Sequence, residues 1–410
     1  MFKRLSALLF AAVLFFSLAS GTQASAQPLK VWLGNEEIQF GDKQPIIENN
    51  TTLVPARALL EDMGYEIEWD GEAGTVQAVK EQSVLTFTIG EAIATVNGQP
   101  VELTIAPKIK DGTAYVPLRF VGESTGHQVR WDGASRSVVL AQSKGFFWKV
   151  EKDGTEVYLL GSIHVGNDYL YPMRPEIEAA FENADQLVVE VNVAKPVSEE
   201  QVKQLQSYMM YDDGSVLPDH ISAETYDKLK AILKEIGAPE NAFDPYKPWQ
   251  IVNELTVVKA AQSGYQAGLG IDMYFLQRAM GTGLPIAELE SYDQQFAMFS
   301  GFSSELQAQM LKDTVEQFHK MDGSIAALAN LWSSGDETQL IELMNSIGEQ
   351  QEYYKTVIQD RNAGMLEKIE GYLNGKDQST SFIVAGYLHM LGEHGIVTML
   401  EEKGYTVTHL

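Results

Sequence analysis

From residue 29 to about residue 142, apolar and polar positions alternate in short runs broken by Gly, Asp and Pro. That pattern predicts strands joined by tight turns. Strands are expected at Tyr65–Trp69 and Thr75–Val79, and again at His127–Trp131 and Ser137–Ala141. Asp70-Gly71 and Asp132-Gly133 lie between the paired runs as hairpin turn signals. From Phe146 the pattern changes. Phe146–Val150 and Val157–Ile163 read as strands joined by Lys152-Asp153-Gly154, and Pro175–Asn183 reads as a helix. Gln186–Val191 reads as a strand that contains Glu190. Residues 198–280 and 303–373 carry helical periodicity; Trp249, Val252, Leu255 and Val258 predict one buried face. Gly283–Glu290 reads as another short strand. The chain closes with strand Ser381–Ala385, helix Glu393–Lys403 and strand Tyr405–His409. The fold class is α/β (α+β): a repeat domain of antiparallel strands with short helices, then a mixed-sheet domain with a large helical insertion.

The first region is duplicated. Val54-Pro55-Ala56-Arg57 returns 62 positions later as Val116-Pro117-Leu118-Arg119, and Glu61/Glu123, Gly64/Gly126, Trp69/Trp131 and Val76/Val138 keep the same offset. Each Pro suits a helix start and each Gly a helix end. Arg57–Glu61 and Arg119–Glu123 are spaced as i,i+4 helix pairs. Trp69 and Trp131 are expected in the core. This doubled pattern resembles the copper amine oxidase N-terminal-like domain. The resemblance does not carry copper with it, because the region has a single His, His127, and no Cys. A glycan- or wall-binding surface is an alternative reading of this region.

Composition narrows the function. The chain has 410 residues, 30 Lys+Arg against 56 Asp+Glu, a net charge of −26 and no Cys. The acidic balance argues against nucleic-acid binding, and the missing Cys excludes disulfides and thiolate metal sites. Lys3 and Arg4, the apolar run Leu5–Leu18 and Ala24-Ser25-Ala26 together read as a secretory signal peptide over residues 1–26. The expected division is 1–26 signal peptide, 27–143 repeat domain and 144–410 second domain. The expected location is secreted or at the cell surface, with no membrane span after signal cleavage.

Candidate chemistry lies in the second domain. His164, Glu190 and His389 stand at the ends of apolar strands, and Glu290 ends a fourth. Ligands gather at the carboxyl ends of strands in open α/β sheets. Two imidazoles and a carboxylate suit one divalent ion, Glu290 could take a proton, and Arg361 could hold a carboxylate or a developing oxyanion. The plain alternative makes each His a hydrogen-bonded structural residue. Asp272 reads as the cap of a helix from Met273 onward, Glu393 as a first-turn helix residue and His394 as exposed.

The ordered set Leu160-Gly161-Ser162-Ile163-His164-Val165-Gly166, Glu190, Gly270-Ile271-Asp272, Leu289-Glu290-Ser291, Arg361-Asn362 and Gly386-Tyr387-Leu388-His389 resembles the TraB/PrgY/GumN family. That family includes the Tiki metalloproteases and is distantly similar to erythromycin esterases. The resemblance implies a metal-dependent hydrolase, a peptidase acting on a peptide or protein substrate. Carried over, His164, Glu190 and His389 would be metal ligands and Arg361 a supporting active-site residue; Glu290, read from its own chemistry, joins Arg361 as catalytic. Manganese or cobalt is the metal implied, and zinc meets the same donor chemistry. Two other readings stand beside it: a non-catalytic extracellular peptide-sequestering protein, and a wall-attached structural protein in contact with the cell wall through its repeat domain.

Overall fold

The computed structural model describes residues 29–34, 36–80, 83–132, 135–375 and 378–410. The segment 1–26, expected as a signal peptide, and Gly133 of the second hairpin turn lie outside the described residues. The chain forms two compact units. One runs up to Ser143 and includes Tyr169–Pro175; the other comprises Lys144–Asp168 and Glu176–Leu410.

The first unit is built from three small sheets. The two copies of the repeat meet in one of them, where Thr51–Pro55 pairs antiparallel with Thr113–Pro117 and Val54 stands opposite Val116. Each strand runs into a seven-residue helix, Ala56–Asp62 or Leu118–Ser124, with Pro55 or Pro117 at the N-cap. Gly64 and Gly126 follow these helices with φ of +82° and +74°, the left-handed conformation that ends a helix without a Cβ clash. The Arg57–Glu61 and Arg119–Glu123 pairs form at 3.1 and 2.9 Å. One pairing departs from the expected antiparallel plan: Lys30–Leu33 runs parallel to Ser137–Gln142.

Trp69 and Trp131 correct the sequence reading. Their side chains are 45% and 52% exposed. Each stands opposite a buried valine, Val76 or Val138, and so points to the core side. Each also lies near the end of a strand at the edge of its sheet. Among the described residues no further strand pairs with that edge, so the right face does not produce burial.

The second unit holds a six-stranded mixed sheet of β1 (Phe146–Lys152), β2 (Thr155–Ser162), β3 (Gln186–Val189), β4 (Ile286–Glu288), β5 (Ser381–Gly386) and β6 (Thr406–His409). Their order is β4-β3-β5-β2-β1-β6. The first four in that order are mutually parallel, and β1 and β6 add antiparallel strands at the far side. The β1–β2 hairpin turns at Asp153 and Gly154, both at positive φ, as a two-residue primed turn requires. Strands β2 and β5 are buried along nearly their whole length, as expected of central parallel strands.

Helices fill the segments between β3 and β4 and between β4 and β5, including Pro248–Gln262, Ile271–Thr282 and Arg361–Leu373. Trp249 and Leu255 are fully buried, and Val252 and Val258 pack against the cluster that holds Leu255. The last helix is shorter than expected, running only from Ile396 to Glu402. Gly392 at φ +98° turns the chain ahead of it, which leaves Glu393 in a loop rather than in a first helical turn.

The two Gly-x-x-His segments leave adjacent parallel strands side by side. Gly161 stands opposite Ala385, and Ser162 opposite Gly386. A Cβ on Gly161 would lie 2.8 Å from Tyr387 Cβ and 3.0 Å from Phe146 Cβ, with Phe146 and Tyr387 stacked on each other. Gly161→Ala should therefore destabilise the protein by about 1–3 kcal/mol through overpacking. Urea unfolding of wild type and variant measures this; equal midpoints would mean that the contact yields freely.

Candidate active site

Four neighbouring parallel strands each deliver one polar residue just beyond their carboxyl ends. In sheet order these are Glu290 after β4, Glu190 after β3, His389 after β5 and His164 after β2. Both carboxylates lie past the last strand residue rather than within the strand. The β3–β4 pairing continues to them, however: Glu290 N–H donates to the Glu190 carbonyl at 2.8 Å.

Gly386 marks the middle of the row. A Cβ placed on it would lie 3.1 Å from Glu190 Oε1 and 3.5 Å from both His164 Nε2 and His389 Cδ2. Its own N–H donates to Glu190 Oε1. The hydrogen atom of glycine thus keeps open a small cradle onto which all three side chains converge.

Each imidazole is held from behind. His164 Nδ1 donates to Asp272 Oδ2 at 2.9 Å, and Ser162 Oγ donates to Asp272 Oδ1 at 2.7 Å. Asp272 is the second residue of helix Ile271–Thr282, whose N-cap is Gly270, so it turns to His164 instead of capping the helix. The approach is close. Ile271 N–H donates to the Ile163 carbonyl at 3.0 Å, and a Cβ on Gly270 would sit 2.5 Å from the His164 carbonyl oxygen. On the other side, His389 Nδ1 donates to Asn362 Oδ1 at 2.6 Å. The Asn362 amide is fixed by donating to the carbonyls of His389 and His394. These bonds assign the Nδ1–H tautomer to both rings and leave both Nε2 atoms for the site. His394 is itself half-buried, with Nδ1 3.2 Å from the Tyr354 hydroxyl, and not exposed as expected.

Arg361, the first residue of helix Arg361–Leu373, enters from the helical region. Its Nε lies 3.0 Å from both Glu290 oxygens, and Nη2 lies 2.5 Å from Glu290 Oε2 and 2.8 Å from Glu190 Oε2. Nη1 donates to His389 Nε2 at 3.1 Å. Gln295 adds weaker contacts to Glu290 and Glu190 at 3.1 and 3.4 Å. The structure thus gathers His164, Glu190, His389, Glu290 and Arg361 into one cluster.

The environments drive protonation apart. His164 keeps 64% of its side chain exposed, and the Asp272 carboxylate raises its pKa to about 9 against a smaller effect of desolvation. His389 is only 6% exposed; burial pushes it down to about 4, with Arg361 acting in the same direction. Burial would raise Glu190, but the neighbouring histidines, Arg361 and the Gly386 N–H outweigh that and hold it at about 2. With His389 neutral near pH 7, the positive neighbours of Glu190 are Arg361 and His164.

The donor chemistry fits a divalent ion in kind: two Nε2 atoms and a carboxylate, each imidazole oriented by an outer hydrogen bond from Nδ1. Among the described residues, however, no three His, Asp or Glu side chains stand ready as a cation cage. The guanidinium of Arg361 bonds to two of the expected donors instead.

The model of the TraB/PrgY/gumN family matches residues 146–409, which contain every residue of this cluster. The chain belongs to that family. The copper amine oxidase N-terminal domain model matches residues 32–140. An uncharacterised protein, YbaP of Escherichia coli, is 28% identical over 245 residues, covering 59% of this chain and 87% of that protein. An uncharacterised protein of Treponema pallidum is 21% identical over 281 residues, or 65% of this chain and 82% of its own length. The metalloprotease TIKI2 of Danio rerio is 21% identical over 319 residues, covering 64% of this chain and 60% of that protein.

Asp272 and Asn362 are the members of the site whose roles the sequence did not disclose. An Asp near a helix start looks like a cap, and nothing local marks an Asn as the partner of a distant imidazole. Asp272→Asn should lower the His164 pKa from about 9 toward 6.5, because the variant removes the charge that stabilises the imidazolium. Titration of the imidazole resonances by NMR measures this; a midpoint still above 8 would place the cause elsewhere.

Proposed function

We propose that this protein is a metal-dependent hydrolase that cleaves peptide amide bonds. The observation that supports this most is the delivery of Glu290, Glu190, His389 and His164 by four adjacent parallel strand ends onto one cradle at Gly386. The likeness to a named metalloprotease supplies the reaction class. His164 Nε2, His389 Nε2 and Glu190 would hold one divalent ion, of which manganese, cobalt and zinc all suit the donors. Such an ion supplies an acidified water and a polarised substrate carbonyl.

The residues of the chain do the rest. Asp272 and Asn362 aim the two rings. Glu290 and Glu190 hold Arg361 charged despite its burial, which on its own would favour the neutral form. The charged Arg361 guanidinium is the group suited to hold a substrate carboxylate or a developing oxyanion. Glu290, already accepting from Arg361, positions that guanidinium and can relay a proton once the contact loosens. The exposed face of His164 gives substrate a way in.

The reading places the mature protein outside the cytoplasm, from the segment Met1–Ala26. N-terminal sequencing of the exported chain should begin near Gln27; a start at Met1 would remove that part. Among the described residues, no helix is long and apolar enough to cross a membrane.

Metal analysis of the purified protein, with and without His164→Ala and His389→Ala, tests the central claim. Wild type should carry about one divalent ion and cleave peptides, and each variant should lose both. The sign of the pH dependence follows from His164. Its Nε2 carries a proton below about pH 9 and must release it to bind an ion. Apparent Mn²⁺ affinity should therefore rise with pH, by about tenfold per unit between pH 6.5 and 8.5, provided one proton is released. A peptide that binds and stays intact would instead favour sequestration.

A further inference from the structure

Arg361 is more than a neighbour of the metal donors. Its Nη1 donates to His389 Nε2, the lone pair that would bind an ion, and its Nη2 donates to Glu190 Oε2. The side chain is only 11% exposed. A guanidinium and a divalent ion cannot both use the His389 lone pair, and two cations packed among the same donors repel. We propose that Arg361 is an internal cation holding the divalent-ion position, and that an ion enters as the guanidinium withdraws. The proposal rests on the reading of His164, Glu190 and His389 as ion donors.

The helix leading to Arg361 is built in a way that permits withdrawal. Residues Lys355–Asp360 form a π-helix between the short α-helix Gln351–Tyr354 and the helix that begins at Arg361. A π-turn holds one more residue than an α-turn, is rare, and is frequent at functional sites. Returning this segment to α-helical winding would rotate the chain on one side of it by about one residue step, roughly 100°. The π winding is clasped by its own ion pair: Lys355 Nζ lies 2.6 and 2.8 Å from the two Asp360 oxygens. Residues five apart come onto one face in a π-helix, whereas an α-helix brings together those three or four apart. The pair is solvent-exposed, with 63% and 53% of the side chains accessible, so the clasp is weak and reversible. On the other side, Glu290 bonds to Nε and Nη2 and anchors the guanidinium while the ion position is held by Arg361.

Two measurements on the full-length chain test this. In the first, phenylglyoxal modification of Arg361 is mapped by mass spectrometry with and without saturating Mn²⁺. A withdrawn guanidinium should be modified at least about fivefold faster with Mn²⁺; unchanged or slower modification overturns the proposal. In the second, Mn²⁺ binding is followed by calorimetry in wild type, Arg361→Gln and Lys355→Gln. Removing the competing charge should tighten Mn²⁺ binding by about tenfold or more in Arg361→Gln. Opening the exposed clasp should tighten it by up to about fivefold in Lys355→Gln, a surface variant that keeps every donor and keeps Arg361. If Arg361→Gln does not fold without metal, the Lys355→Gln titration and the wild-type modification decide. Tight binding in wild type with no gain in these variants overturns the competition and leaves the donor assignment standing. No Mn²⁺ or Zn²⁺ binding in any of the three proteins removes the donor assignment, and the proposal with it.

Discussion

Two buried carboxylates share one guanidinium, and the cluster is arranged around the cost of that placement. Glu190 and Glu290 follow adjacent parallel strands and are joined by a backbone hydrogen bond. Two carboxylates this close repel, and both side chains are nearly removed from water. A cation has to lie between them. Arg361 meets that need with bonds to both, and it also caps His389. Taking away one member of such a group costs more than the group contributes as a whole, because it leaves a buried charge uncompensated. The cluster is therefore a constraint on the fold before it is a tool for chemistry.

The strands that deliver the cluster were legible in the sequence because each is a short apolar run ended by a polar residue. β2, β3 and β5 fall within a residue or two of their expected limits. Convergence itself was not legible. It depends on the sheet order β4-β3-β5-β2, in which the last of these strands in sequence lies between two that precede it in the chain. No local pattern encodes that insertion; strand-end placement and the family resemblance supplied only the expectation that these residues belong to one site. Asp272 shows the same limit at the scale of one side chain. Position and residue type favour a cap, yet Gly270 lets the helix approach so closely that the carboxylate meets an imidazole over a hundred residues away.

The repeat unit teaches a different lesson. Its duplication, helix ends and ion pairs were all readable from spacing, since each is fixed by local geometry. Trp69 and Trp131 were not, because burial depends on what covers a residue as well as on the face it points to. Both pair with buried valines, and both lie near the ends of edge strands.

The two Gly-x-x-His segments are alike in letters and differ in physics. Gly161 is small so that β2 can press against Tyr387 and Phe146; Gly386 is small so that a cradle stays open. The histidines diverge in the same way. His164 lies open to solvent with a carboxylate behind it and is held as the cation, at about 9. His389 is buried with an amide behind it and a guanidinium in front, and is held neutral, at about 4. An amide accepts the Nδ1 proton without favouring charge, whereas a carboxylate does both. One motif, used twice on neighbouring strands, thus yields one imidazole that carries a removable proton and one with a fixed lone pair. Such a division between adjacent titratable groups, set by what stands behind each ring, is the arrangement that acid–base pairs share.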